Sequence, residues 1–330
     1  VGLVLNKILI LPVIAVLITI LSFLPHDAHA ATSYELQVGD ANGACEVMGG
    51  TWDSGTNTCT LAVSLNLNTG DSLTIDSGVT LKVTGTINNN DGTINNNGTI
   101  NSSGRITDVF GDSAIHNNVG AIINNSGDLS NASGTFTNAG TIDNEGTMSI
   151  GDGFTNMSSG IINNNSGGSI LIQQTTSNSG TINNSGTLNF FSGTFNNIGI
   201  ITNNSGGKIN IDDVDTFTNS GTINNNSGGI IYTGVSSNMD NFGTINNSGT
   251  INILTNNGNA NGSITNSGTI NNNCGGIING SVLGNPPVDT CPPPSIPEFP
   301  FSFNLVIIFV AITAMYMIIR QKMMPNFKRF

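Results

Sequence analysis

The chain is poor in charge. Only 8% of its 330 residues are Asp, Glu, Lys or Arg, about a third of what ordinary soluble domains carry. Between the two ends the only bases are Lys82, Arg105 and Lys208, so the basic footprint that nucleic-acid binding requires is missing. The net charge of -12 favours cations over anionic partners. Of three histidines, two fall in a leader segment, and His116 has no nucleophile whose pairing with it can be read. Cysteines number four, and the Cys45–Cys59 spacing is far too wide for a paired zinc knuckle. The calcium-repeat pattern Gly-Gly-x-Gly-x-Asp is absent. What remains is an uncharged polar chain, with 42 glycines and abundant asparagine.

That polar material is ordered into a repeat. Gly-Thr-Ile-Asn-Asn appears at Gly85 and returns at Gly92, Gly180, Gly221, Gly243 and Gly268. Looser copies at Gly134, Gly186 and Gly193 carry Phe or Leu at the apolar place. The apolar residue recurs about every six or seven positions, too widely for a helix face. Stronger copies near Ile123, Ile162, Ile201, Ile223 and Ile245 add a period of about 20–22 residues, within the range of solenoids. Three short strands per coil, each followed by a Gly/Asn/Ser corner, satisfy both periods. Neighbouring strand residues point to opposite faces, so Thr-Ile-Asn sends Ile inward and Thr and Asn outward. The corner residues tolerate the left-handed conformations that turns demand, and corner Asn can stack in hydrogen-bonded ladders. The expected fold is all-β, a single-stranded parallel β-helix of about ten coils with right-handed coiling.

Residues 1–30 read as a signal peptide, with an apolar run from Ile8 to Leu24 and a small-x-small cleavage site at Ala28-His29-Ala30. The alternative is an uncleaved anchor. Secretion makes disulfides the default for the cysteines. Cys45–Cys59 would close an N-terminal cap over 31–60, in which Trp52 covers the open end of the first coil. Residues 61–283 form the repeat domain, and Cys274–Cys291 would clip its last coil. A Pro-rich spacer, 284–300, leads to an apolar segment, 301–319, long enough to span a bilayer. The basic tail 320–330 would then be cytoplasmic by the positive-inside rule. This predicts a single-pass cell-surface protein with an extracellular ectodomain.

Two stretches resemble known families. Pro297-Glu298-Phe299, followed by a hydrophobic span and a basic end, is similar to the PEF-type C-terminal sorting signals of archaeal surface proteins. That resemblance implies a membrane sorting protease, an archaeosortase, as a partner. The repeat array resembles the β-helix repeats of secreted adhesins and haemagglutinin-type surface proteins, a likeness that bears on architecture more than on activity.

Candidates for chemistry are few. Asp212, Asp213 and Asp215 form the one dense acidic patch. They are candidate Ca²⁺ ligands together with corner carbonyls, or a carboxylate pair of the kind glycoside hydrolysis uses; a solvated turn is the bland reading, and no cofactor is otherwise implied. Asn-x-Ser/Thr sequons at Asn97, Asn131, Asn156, Asn183 and Asn246 are candidate glycosylation sites where the Asn faces outward. The expected function is a non-enzymatic surface solenoid, adhesive or envelope-building, acting through a repetitive Thr/Asn face on surface glycans or neighbouring cells. The alternative is a polysaccharide-active β-helix hydrolase or lyase. A groove gathering two or more carboxylates with a base would favour it.

Overall fold

In the computed structural model, the described residues are 30–40, 43–212, 214, 216–235, 237–254, 262–291 and 303–323. The chain divides into two units, 1–290 and 291–330. The first is a parallel β-solenoid of the right-handed type. Among the described residues its three sheets contain 11, 12 and 13 strands. In chain order one coil runs through Thr86–Asn90 in the first sheet, Thr93–Asn96 in the second and Thr99–Ser102 in the third. Each strand pairs in parallel with its equivalents one coil below and above, as Ile182 does with Ile162 and Ile201.

The burial pattern along Thr-Ile-Asn-Asn is regular. Ile, second in the strand, is buried in every clean copy, and the Ile, Leu and Phe residues of successive coils join into one continuous core. Phe190, Phe195 and Phe217 cluster inside it, with ring centroids 4.4–5.1 Å apart. Thr and the first Asn face outward. The second Asn turns inward and is buried. In the second sheet this residue builds a ladder from Asn96 through Asn117, Asn138, Asn156, Asn178, Asn197, Asn219 and Asn241 to Asn266. Each Nδ2 donates to the next Oδ1 at 2.7–2.8 Å. The third sheet holds a second ladder, Asn125 to Asn272, at 2.8–2.9 Å. The other amide hydrogen goes to a backbone carbonyl, as from Asn117 to Thr141. Buried amides so paired avoid the cost of desolvation without a partner.

Corner glycines serve two purposes. Gly167 has φ +91 with open space around it, whereas a Cβ on its neighbour Gly168 would meet the Asn144 carbonyl of the coil below. At tight corners such as Ser103-Gly104, Asn97-Gly98 and Ile198-Gly199 the glycine has no positive φ; a Cβ on Gly199 would strike the Gly180 carbonyl oxygen. Left-handed backbone is therefore only one reason for a corner glycine. Close stacking of coils is the second and commoner cause.

The array extends beyond 61–283 at both ends. Ser33–Leu36 starts the second sheet, Thr58–Leu61 pairs in parallel with Thr80–Val83, and Val282–Gly284 and Val288–Asp289 end the second and third sheets. The cap between them is a short helix, Ala44–Val47, and an antiparallel hairpin, Thr51–Asp53 with Thr58–Leu61. Cys45–Cys59 staples helix to hairpin, and Trp52 packs partly buried against the core. Cys274 and Cys291 are also disulfide-bonded, and no cysteine is free.

The second unit contains a helix, Phe303–Met323, whose residues 310–320 are exposed. Among the described residues no helix is long and apolar enough to cross a membrane. The span expected over 301–319 begins outside those residues. The signal peptide, the spacer from 292 onward and Pro297, Glu298 and Phe299 lie outside them too.

Candidate functional site

Two depressions on the solenoid surface break the Thr/Asn rhythm. The first lies on the outer face of the first sheet. In-register pairing stacks Leu171, Asn189, Asn210 and Tyr232 in one outward row. Asn210 Nδ2 donates to Asn189 Oδ1 at 2.7 Å. Beside that row, at the strand ends, Phe191 pairs with Asp212. Phe191 is 45% exposed and Leu254 is 44% exposed. A Cβ on Gly234 would meet Asp212 Oδ1, so the missing side chain there gives the carboxylate its place.

Asn210 and Asp212 form a wall between two adjoining hollows. One, of about 440 Å³, is lined by Leu171, Gln173, Asn189 and Phe191. The other, of about 300 Å³, is lined by Tyr232, Gly234 and Leu254. The arrangement presents aromatic faces beside amide and carboxylate hydrogen-bonding groups. That combination suits a ligand with apolar faces and hydroxyl edges.

Of the acidic trio, Asp212 ends the strand Lys208–Asp212 and points outward, while Val214 is buried. Asp213 and Asp215 lie outside the described residues. Among the described residues no group of three or more His, Cys, Asp or Glu is placed to hold a metal.

The second depression, about 310 Å³, runs along the edge of the third sheet and includes Lys82, Asn101, Asn124, Asp143 and Glu145. Lys82, Asn101, Asn124 and Asp143 occupy successive coils of one outward row. Three rungs at about 4.8 Å put the base about 14 Å from Asp143 along the axis. Asn124 donates to Asn101 and Asn163 to Asp143, both at 2.7 Å. This groove gathers two carboxylates and a base, the combination set out above for the enzyme alternative. It is not legible in the sequence, because Lys82 and Asp143 are 61 positions apart and only the coil register joins them.

The sequons divide sharply. Asn97 is exposed. Asn183 and Asn246 face outward, half-buried, each donating to the Asn of the coil below. Asn131 and Asn156 are buried, at 1% and 0% exposure. As the last residues of their strands, Asp128–Asn131 and Phe154–Asn156, they turn inward, so neither can accept a sugar in the folded solenoid. His116 lies outward with Nδ1 2.8 Å from Thr137 Oγ1.

No family model matches the chain, and no curated protein matches it. Among solved structures it is similar to the "Crystal structure of TibC-catalyzed hyper-glycosylated TibA55-350 fragment". Identity is 17%, 80% of this chain and 94% of that chain are covered, and the TM-score is 0.27. A superposition that loose says nothing about fold or function; the solenoid rests on its own strand pairings.

Proposed function

We propose that this is a non-enzymatic, cell-surface β-solenoid that adheres to uncharged glycans. The observation that supports this reading best is the first-sheet patch. There Phe191 and Tyr232 flank the Asn210–Asp212 wall on a rod whose outer rows are otherwise mostly Thr, Ser and Asn. Sugar rings offer apolar faces to aromatic side chains and hydroxyls to amides and carboxylates. Among the described residues no base lines either hollow and the chain carries a net charge of -12, so an acidic glycan would be repelled. The surface location rests on the sequence: the leader 1–30, the apolar stretch 301–319, the bases after it, and Pro297-Glu298-Phe299 as a sorting signal. Asn97, Asn183 and Asn246 are the sequons proposed to be modified.

A glycan array probed with the full chain tests this reading. Binding should favour neutral glycans, and Phe191→Ala or Tyr232→Ala should each weaken it about tenfold, the loss expected of one aromatic contact. Binding unchanged by both substitutions would overturn it.

The second reading, a polysaccharide-active enzyme, draws support from the third-sheet groove with Asp143, Glu145 and Lys82. It places the chemistry on the two carboxylates. It requires that Asp143→Asn or Glu145→Gln abolish turnover while leaving binding in place.

A further inference from the structure

The two hollows on the first sheet are built alike. Two outward rows run along the rod there, set by the third and fifth places of each strand. Going up the coils, the apolar side chains step from one row to the other. Leu171 stands in the first row, and Phe191, one rung higher, in the second. The next rung carries Asn210 and Asp212, one in each row. Tyr232 follows in the first row. Leu254, whose N–H bonds to the Thr233 carbonyl, follows in the second. A half-turn about the midpoint of Asn210 and Asp212, normal to the sheet, therefore exchanges Phe191 with Tyr232 and Leu171 with Leu254. It also exchanges one unlike pair, Asn189 and Gly234. The first is tied to Asn210, and the second leaves room for the Asp212 carboxylate.

We propose that this patch takes a linear, neutral, β-1,4-linked pyranose chain of the glucose type, with three successive sugars laid across Phe191, the Asn210–Asp212 wall and Tyr232. The assignment names the ligand class of the adhesion reading above and rests on that reading. Two like hollows call for two like groups at a fixed separation. A repeating polymer supplies them, whereas a single sugar or a branch end supplies one.

The separation selects the linkage. Phe191 and Tyr232 lie two rungs apart along the axis, about 9.6 Å, and two residues apart along the strand direction, about 6.6 Å, so their Cα atoms are about 12 Å apart. Equatorial β-1,4 linkages make a flat, extended ribbon in which each sugar advances by close to one rung, about 4.8 Å. Two such steps, with the length of a side chain at either end, cover that separation. First and third sugars of the ribbon also present the same face, so each offers the same C–H surface to an aromatic ring. The middle sugar lies over the wall, where Asn210 and Asp212 meet its hydroxyls, the carboxylate making the stronger bonds. Chains linked α-1,4 or β-1,3 curl, and their third sugar turns away from the second ring. A ribbon already extended in solution also loses less freedom on binding.

The test is isothermal titration calorimetry of the full chain in a mild detergent. The probes are cello- and chito-oligosaccharides of two and three sugars, beside α-1,4- and β-1,3-linked gluco-oligosaccharides of the same lengths. In at least one β-1,4 series the trisaccharide should bind more than about tenfold more tightly than the disaccharide, because only the third sugar reaches the second ring. The curled isomers should show no such step. In Phe191→Ala and in Tyr232→Ala the step should vanish; both side chains face outward, so the far-ultraviolet spectrum should stay unchanged. Neutral chains of every linkage that bind equally, yet weaken in both alanine variants, would overturn the β-1,4 assignment and leave the adhesion reading standing. A step from two to three sugars that survives in either alanine variant would also overturn the assignment. Failure of every neutral oligosaccharide to bind would overturn the adhesion reading with it.

Discussion

The residue on which the coil depends most after the core Ile is the second Asn of Thr-Ile-Asn-Asn. It is buried, shares hydrogen bonds with two neighbouring coils and fixes where each strand ends. Asn178 accepts from Asn156 and donates to Asn197, so Asn178→Ala strands two buried amides at a cost of about 2–4 kcal/mol, taking roughly 1–2 for each. Asn183→Ala, on the outer face, should cost less than about 1 kcal/mol; denaturant melts of the two variants check the difference. Alternation alone placed Ile inward and the first Asn outward correctly. Alternation also turns the fourth residue inward, but in the sequence that Asn is indistinguishable from a corner residue. The readable signal is column identity: the inward place at the strand end is Asn throughout the second sheet from Asn96 to Asn266, whereas in the first sheet it varies, with Asn89 and Asn131 but also Ile150, Ile172, Phe190 and Ile211. One inward carboxylate stands in the same kind of position. Asp108 accepts from Asn131 at 3.0 Å, yet its Oδ1 is buried without a partner, as is Asn89 Oδ1. Burial, first of all, pushes its carboxyl above the usual range; the nearby Ser113 hydroxyl and the bond from Asn131 act against this, and Asp91 adds to it. A carboxyl raised on folding contributes stability that is fully present below its unfolded pKa and is lost as pH rises through the folded one. Asp108→Asn should therefore stabilise the solenoid at neutral pH by on the order of 1–2 kcal/mol and flatten its decline from acid to neutral, as thermal melts across pH would record.

At the scale of the coil, strands were more legible than corners. The repeat spacing predicted three strands per turn, and three sheets are found. Why a corner needs glycine was not legible, because the answer lies in the coil below. In Gly167-Gly168 the first glycine has a positive φ and free space, while the second faces a carbonyl; the sequence shows only Gly-Gly. This difference is testable. Gly167→Asn should cost about 1 kcal/mol or less, since Asn tolerates the left-handed region. Gly199→Asn should cost about 3 kcal/mol, because its Cβ meets a backbone oxygen that cannot move without separating the coils. Equal losses in denaturant melts would contradict the stacking explanation. Register also explains why the candidate sites escaped a linear reading. Phe191 and Tyr232 stand out one at a time in the sequence, and only pairing through Asp212 and Asn210 brings them onto one face.

The whole solenoid is a scaffold of stacked equivalents, with a disulfide-bonded cap at its start and outer faces that differ in what they offer. The first sheet offers aromatic hollows around a carboxylate. The third offers a groove with charge at its lower end. An adhesive rod and a polysaccharide-active enzyme would both display such faces, and they part on turnover. The most direct measurement is to incubate the full chain with neutral and acidic polysaccharides and record both bound chain and released reducing ends or unsaturated products. Adhesion predicts binding that weakens with Phe191→Ala, with no product above background. Sustained product formation that disappears with Asp143→Asn or Glu145→Gln, while binding persists, would contradict it.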